Sequence, residues 1–246
     1  LLFLGGTCWA CSVGSKASTL LVVGYWLMVV AAFVLRLPQP GSGPRQRALA
    51  IAALALPCVL GLAGLGWYNA QRFGSPSEFG VRYQLTGKNL NRDYAAAFSA
   101  LNAPVNTYNY LFTPVRRLSV FPFIKPTWGS SSFPLLGWFT RHVPELDLRP
   151  PDLYYVEQVT GLLYAFPFAG LAIPAWFLAS RRRPDKLTDH PGEKERTDGV
   201  SSSSFRLCVW TLSGAVVAAS IPILVYPYAT MRYMADFTPT LLLLSV

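Results

Sequence analysis

The residues best equipped for chemistry sit in "YNAQRFGSPSEFGVRYQL", residues 68–85, directly after a long apolar run. Arg72, Glu78 and Arg82 fall close together there. Guanidinium groups bind phosphate oxygens bidentately, and a carboxylate beside them can orient an arginine or bind a sugar hydroxyl. Asn69 and Gln71 add neutral amides suited to sugar hydroxyls. Ser75-Pro76 favours a turn, and Gly74 and Gly80 permit backbone angles closed to other residues, so the loop should hold its charges at fixed spacing. Lys16, Arg232 and Asp236 join this set if the chain brings its segments to one face. Alternatively, each charge merely anchors a helix end among lipid headgroups.

Other chemical signals are weak. Cys8 and Cys11 form a lone C-x-x-C, but the chain has only four cysteines and two histidines, so small apolar helix residues are the simpler reading. "TGKN" at 86–89 lacks the glycine loop of a nucleotide-binding motif. No H-E-x-x-H or G-x-S-x-G occurs. No cofactor and no metal site is identified from these residues.

The elements that must position the charges are apolar. Only 13% of the 246 residues are charged, about half the usual share, and the first carboxylate is Glu78. Full-length apolar segments cover 17–35, 48–68, 159–179 and 207–229, and none contains Asp, Glu, Lys, Arg or His. Each is long enough to cross a bilayer as a helix. The fold class expected is all-α, a polytopic transmembrane helix bundle. Pro57, Pro167, Pro174 and Pro222 read as tolerated kinks, and Gly61, Gly64 and Gly66 as packing residues. The net charge of +9 is dispersed between apolar runs, which excludes a nucleic-acid-binding face and leaves membrane lipids as the expected surroundings. Leu1 and Val246 each fall inside a short apolar run, which reads as a piece of a longer membrane protein.

Orientation follows from the basic loops. "RLPQPGSGPRQR" at 36–47 and the linker at 181–206, opening "RRRPDK", lie two spans apart and both read as cytoplasmic. Three parts result: residues 1–68, transmembrane with the first helix truncated; 69–158, an outer-face lid; and 159–246, transmembrane with the last helix truncated. Within the lid, Asn91 is an N-cap candidate for a helix through "NRDYAAAFSALNA". Pro104 to Pro114 should enclose another helix, with Val105, Tyr108 and Leu111 on one face. Both are expected as short interfacial helices.

"GTCWACSVGSKAST", "YNAQRFGSPSEFGVRYQLTG" and "MRYMADFTPTLLLLSV" resemble segments of bacterial GT-C-type membrane glycosyltransferases, the polyprenyl-phosphate-sugar mannosyltransferase-like proteins. The resemblance implies an enzyme of the bacterial cytoplasmic membrane that moves a sugar from a polyprenyl-phosphate carrier to an acceptor on the outer face. It implies a catalytic carboxylate in the first outer loop, which has no counterpart here and would lie upstream of Leu1, and it brings a divalent metal into consideration. Lys16, Arg72, Arg82 and Arg232 would then neutralise the lipid phosphate, with Glu78 or Asp236 orienting an arginine or binding a sugar hydroxyl. A transporter or flippase for a lipid-linked sugar, or a noncatalytic membrane scaffold, is the alternative; the absence of ionisable groups inside the full spans weighs against ion-coupled transport.

Overall fold

A helix satisfies its own backbone, so a charge-free apolar run is free to be surrounded by hydrocarbon. The computed structural model describes residues 1–36, 43–83, 98–121, 123–143, 145, 148–181, 202–230, 233 and 238–245. It is mostly helical, with three helices long and apolar enough to cross a membrane: Ala17–Arg36, Pro44–Phe73 and Phe205–Val225. Their apolar side chains point outward, among them Met28, Phe33, Leu56, Leu60, Trp67, Trp210 and Val217. Such continuous apolar surface needs lipid or protein to cover it.

Helix α1 (Leu2–Ser15) leads through a tight turn at Lys16 into α2 (Leu20–Arg36), and α3 spans Pro44–Phe73. Helix α1 runs parallel to α3. A Cβ at Gly6 would strike the Leu54 carbonyl, and one at Gly61 would lie 2.9 Å from Ala10 Cβ. Gly61 therefore is a packing residue as expected, whereas Gly64 faces open space. Helix α4 (Asn102–Phe112) and α5 (Leu136–His142) belong to the segment between α3 and the later apolar runs. Cys58 is buried and donates to the Gly6 carbonyl at 3.3 Å, a local packing role.

The apolar run at 159–179 does not form the single helix expected of it. It opens in a strand and continues as α6 (Leu162–Ala165), a 3-10 turn (Pro167–Leu171) and α7 (Ala172–Arg181). The cause is local. Gly161 N–H donates to the Thr113 carbonyl at 2.7 Å, and a Cβ there would stand 2.6 Å from Thr113 N. Phe166 is non-helical at φ −138°, and Pro167 supplies no N–H. The next apolar helix, α8 (Ser202–Val225), runs antiparallel to α2. Tyr25 crosses it at Gly214 and donates to the Thr211 carbonyl at 2.8 Å, while Leu20 and Leu21 line one cavity with Pro222 and Ile223. Helix α9 (Thr238–Ser245) follows.

The chain is mostly helical, as the expected class has it, and a few short strands pin the 98–159 region in place. β1 (Val115–Arg117), β2 (Ile124–Trp128) and β4 (Gln158–Val159) form an antiparallel sheet. β3 (Tyr155–Val156) pairs in parallel with β5 (Tyr228–Ala229), just beyond α8. The chain at 207–229 thus leaves the helix at Val225 and becomes extended. The helix expected from Asn91 lies mostly outside the described residues.

Helix α4 exists as expected, but its most buried face is polar. Asn102, Asn106 and Asn109 are fully buried, while Tyr108 and Leu111 are only half-buried. The last carbonyls of a helix have no intrahelical donor, and this stripe supplies donors to α8. Asn106 Nδ2 lies 2.9 Å from the Leu224 carbonyl and 2.8 Å from that of Tyr226, with Ile223 at 3.3 Å. Asn102 Nδ2 and the Ser99 N–H both donate to Val225, at 2.9 and 3.0 Å. The Tyr154 hydroxyl donates to Asn106 Oδ1 at 2.8 Å and accepts from Asn109 Nδ2 at 2.9 Å. Around them Val105, Tyr110, Leu162, Ala219 and Ile223 form the largest apolar core.

Asn106→Ala strands several buried carbonyls and the Tyr154 hydroxyl, and it is expected to lower the unfolding free energy in detergent by at least about 2 kcal/mol. Burial pushes the Tyr154 hydroxyl up to about 12 from its ordinary 10.0, although the Asn109 hydrogen bond acts the other way. The folded state holds this proton more tightly, so its stabilisation is complete below about pH 10 and is lost as pH rises through about 12. Thermal unfolding in detergent should therefore weaken more steeply over that range in the native chain than in Tyr154→Phe.

Candidate functional site

The end of α3 shows how the sequence fixes the loop that follows. Gly74 caps the helix in the left-handed conformation at φ 76°, its N–H donating to Ala70 at 2.9 Å. Buried Asn69 reaches the Pro76 carbonyl at 3.4 Å, and Glu78 N–H bonds Ser75 at 3.3 Å. A second left-handed residue, Gly80 at φ 79°, passes under the Phe73 ring, where a Cβ would lie 3.1 Å from Cζ. A 3-10 turn (Val81–Tyr83) then stacks Tyr83 on Phe73 with ring centroids 5.2 Å apart. Both glycines thus do what their sequence positions suggested.

This folding separates the expected site residues. Glu78 turns inward and is 7% exposed. Its Oε2 lies 3.4 Å from Arg82 Nε, whereas its buried Oε1 has no hydrogen-bond partner among the described residues. These two residues line a pocket of about 150 Å³ with Phe73, Ser75, Ser77 and Tyr83. Arg72 is exposed. It donates to the Tyr68 hydroxyl at 3.0 Å and lies 5.0 Å from the Phe73 ring centre.

Lys16 lines a different and larger cavity, of about 360 Å³, at the same end of the helices. Its turn is shaped by backbone bonds from Lys16 N–H to Ser12 and from Thr19 N–H to Lys16, both 3.0 Å. The ammonium sits 5.0 Å from the Tyr233 ring centre. Leu20, Leu21, Pro222 and Ile223 form apolar walls, and Phe79 and Val81 of the loop complete them. Phe98 and Tyr226 stand at the same cavity, their rings 5.5 Å apart. One loop therefore serves both spaces: Glu78 and Arg82 face one, Phe79 and Val81 the other. Arg232 and Asp236 lie outside the described residues.

Sequence reasoning missed the asparagine stripe that holds the cavity's α8 wall. The signal was present as Asn at 102, 106 and 109, which recurs on one helix face. No protein-family model, curated protein or solved structure matches the chain. Among the described residues no three His, Cys, Asp or Glu side chains gather where they could hold a metal ion.

The two left-handed glycines should differ in tolerance. Gly74→Ala meets open space and costs only its backbone strain, about 1–2 kcal/mol. Gly80→Ala adds the collision with Phe73 and should lower the thermal midpoint further, with both variants compared by unfolding in detergent.

Proposed function

We propose that this chain acts as a membrane glycosyltransferase that moves a sugar from a polyprenyl-phosphate carrier to an acceptor at the outer membrane face. The observation that carries this is the cavity at the helix ends, with an ammonium at one side and aliphatic and aromatic walls elsewhere. An amphiphile with an anionic head matches that division. Its phosphate pairs with Lys16, and its first isoprene units pack on Leu20, Leu21, Pro222 and Ile223. The basic loops at 36–47 and 181–206 support placing this end outside, and the three quoted motifs support the transferase class.

In transfer, the bond between the sugar's anomeric carbon and the phosphate oxygen breaks as the acceptor oxygen forms the new one. Negative charge grows on the leaving phosphate, and a fixed cation lowers the energy of that change. Lys16 takes this role, with exposed Arg72 at the same end of the helices as a further candidate. The acceptor proton passes to a base that is not assigned among these residues.

The test is transfer of labelled sugar from a polyprenyl-phosphate donor by the protein in nanodiscs. Lys16→Ala should lower the rate by about 10²-fold or more. An unchanged rate would overturn the assignment. Movement of the intact carrier across the bilayer without cleavage would favour a flippase instead.

A further inference from the structure

The pocket under the 73–83 loop is distinct from the Lys16 cavity, and its chemistry differs. Its volume of about 150 Å³ corresponds to roughly five times the liquid volume of a water. That is room for a ring-sized group rather than a lone ion. Its most buried polar group is the Glu78 carboxylate, whose side chain is 8% exposed. Oε2 is held by Arg82, and buried Oε1 lacks a hydrogen-bond partner among the described residues. A buried acceptor left unmatched is strongly unfavourable, so the site is complete only when a donor arrives.

The type of donor follows from the neighbours. Glu78 and Arg82 are opposite charges 3.4 Å apart, so the pair presents little net field to a phosphate or a metal cation. Ser75 and Ser77, with hydroxyls 3.2 Å apart, can each donate and accept. The stacked Phe73 and Tyr83 rings provide an apolar side. A neutral ring bearing several hydroxyls fits all three features.

We infer that this pocket is a saccharide subsite in which Glu78 Oε1 accepts a hydrogen bond from a sugar hydroxyl. This placement rests on the transferase reading for the presence of a sugar, but its test does not require transfer. The loop also contributes Phe79 and Val81 to the carrier cavity, so a sugar held by Glu78 would lie beside the bound carrier.

The protein is reconstituted in phosphatidylcholine nanodiscs, free of glycoside detergents, and titrated with methyl glycosides of mannose, glucose and galactose. Binding is read by saturation-transfer NMR. At least one glycoside should bind, and Glu78→Gln should weaken it by about tenfold or more, the effect of replacing a charged acceptor with a neutral amide. Tyr83→Leu, at an exposed residue that leaves the carboxylate untouched, should weaken the same ligand and guards against misfolding of the Glu78 variant. Absence of binding by every glycoside, or binding by both variants as tight as that of the native chain, overturns the subsite. A polyprenyl-phosphate mannose added as a second ligand separates the sources. If it displaces the methyl glycoside, the subsite takes the carrier's sugar; if both bind together, it takes the acceptor's. Glycoside binding without any transfer activity would count against the transferase alone.

Discussion

The structure depends on how helix α8 ends. A helix emerging from hydrocarbon exposes carbonyls with no partner, and each would be costly if left buried. Here Asn102, Asn106 and the Ser99 N–H answer the carbonyls from Ile223 to Tyr226. That single set of bonds locks α4 across the end of α8, and Tyr154 and Asn109 extend it to the Ser130 carbonyl. With the helix end closed by protein amides, the chain can turn at Pro227 into β5 and pair with β3.

From that closure the cavity follows. Pro222 and Ile223, on the last turns of α8, face Leu20 and Leu21 at the start of α2 because the two helices are antiparallel. The Lys16 turn and the α3 cap at Gly74 fall at the same end, for α1 parallels α3. Charge is therefore excluded along the helices and concentrated where they stop. An amphiphile entering from the membrane would meet aliphatic walls first and an ammonium at the end.

Much of this was legible in the residues, and the exceptions share a cause. The long apolar helices could be read because a charge-free run of that length has few other solutions. Gly74 and Gly80 could be read because left-handed backbone selects glycine. The break in 159–179 could not, since hydropathy measures burial and is silent on whether the buried backbone is one helix or several pieces. Its decisive contact, Gly161 against Thr113, is far apart in the chain. The asparagine stripe was hidden for the same reason. Asn102, Asn106 and Asn109 look like a solvated face until α8 supplies the carbonyls they serve. The pooling of Lys16, Arg72, Glu78 and Arg82 at one end was visible from topology, but the division of Lys16 from Glu78 and Arg82 between two spaces depends on which way Glu78 turns.

The most direct measurement is photo-crosslinking with a polyprenyl phosphate that carries a photoreactive group near its head, followed by peptide mapping. Labelling should concentrate on residues 16–21, 79–81 and 222–226 and fade when unlabelled polyprenyl phosphate competes. Labelling spread evenly over lipid-facing positions such as Met28, Leu56 and Val217, with no competition, would contradict a carrier site at the helix ends.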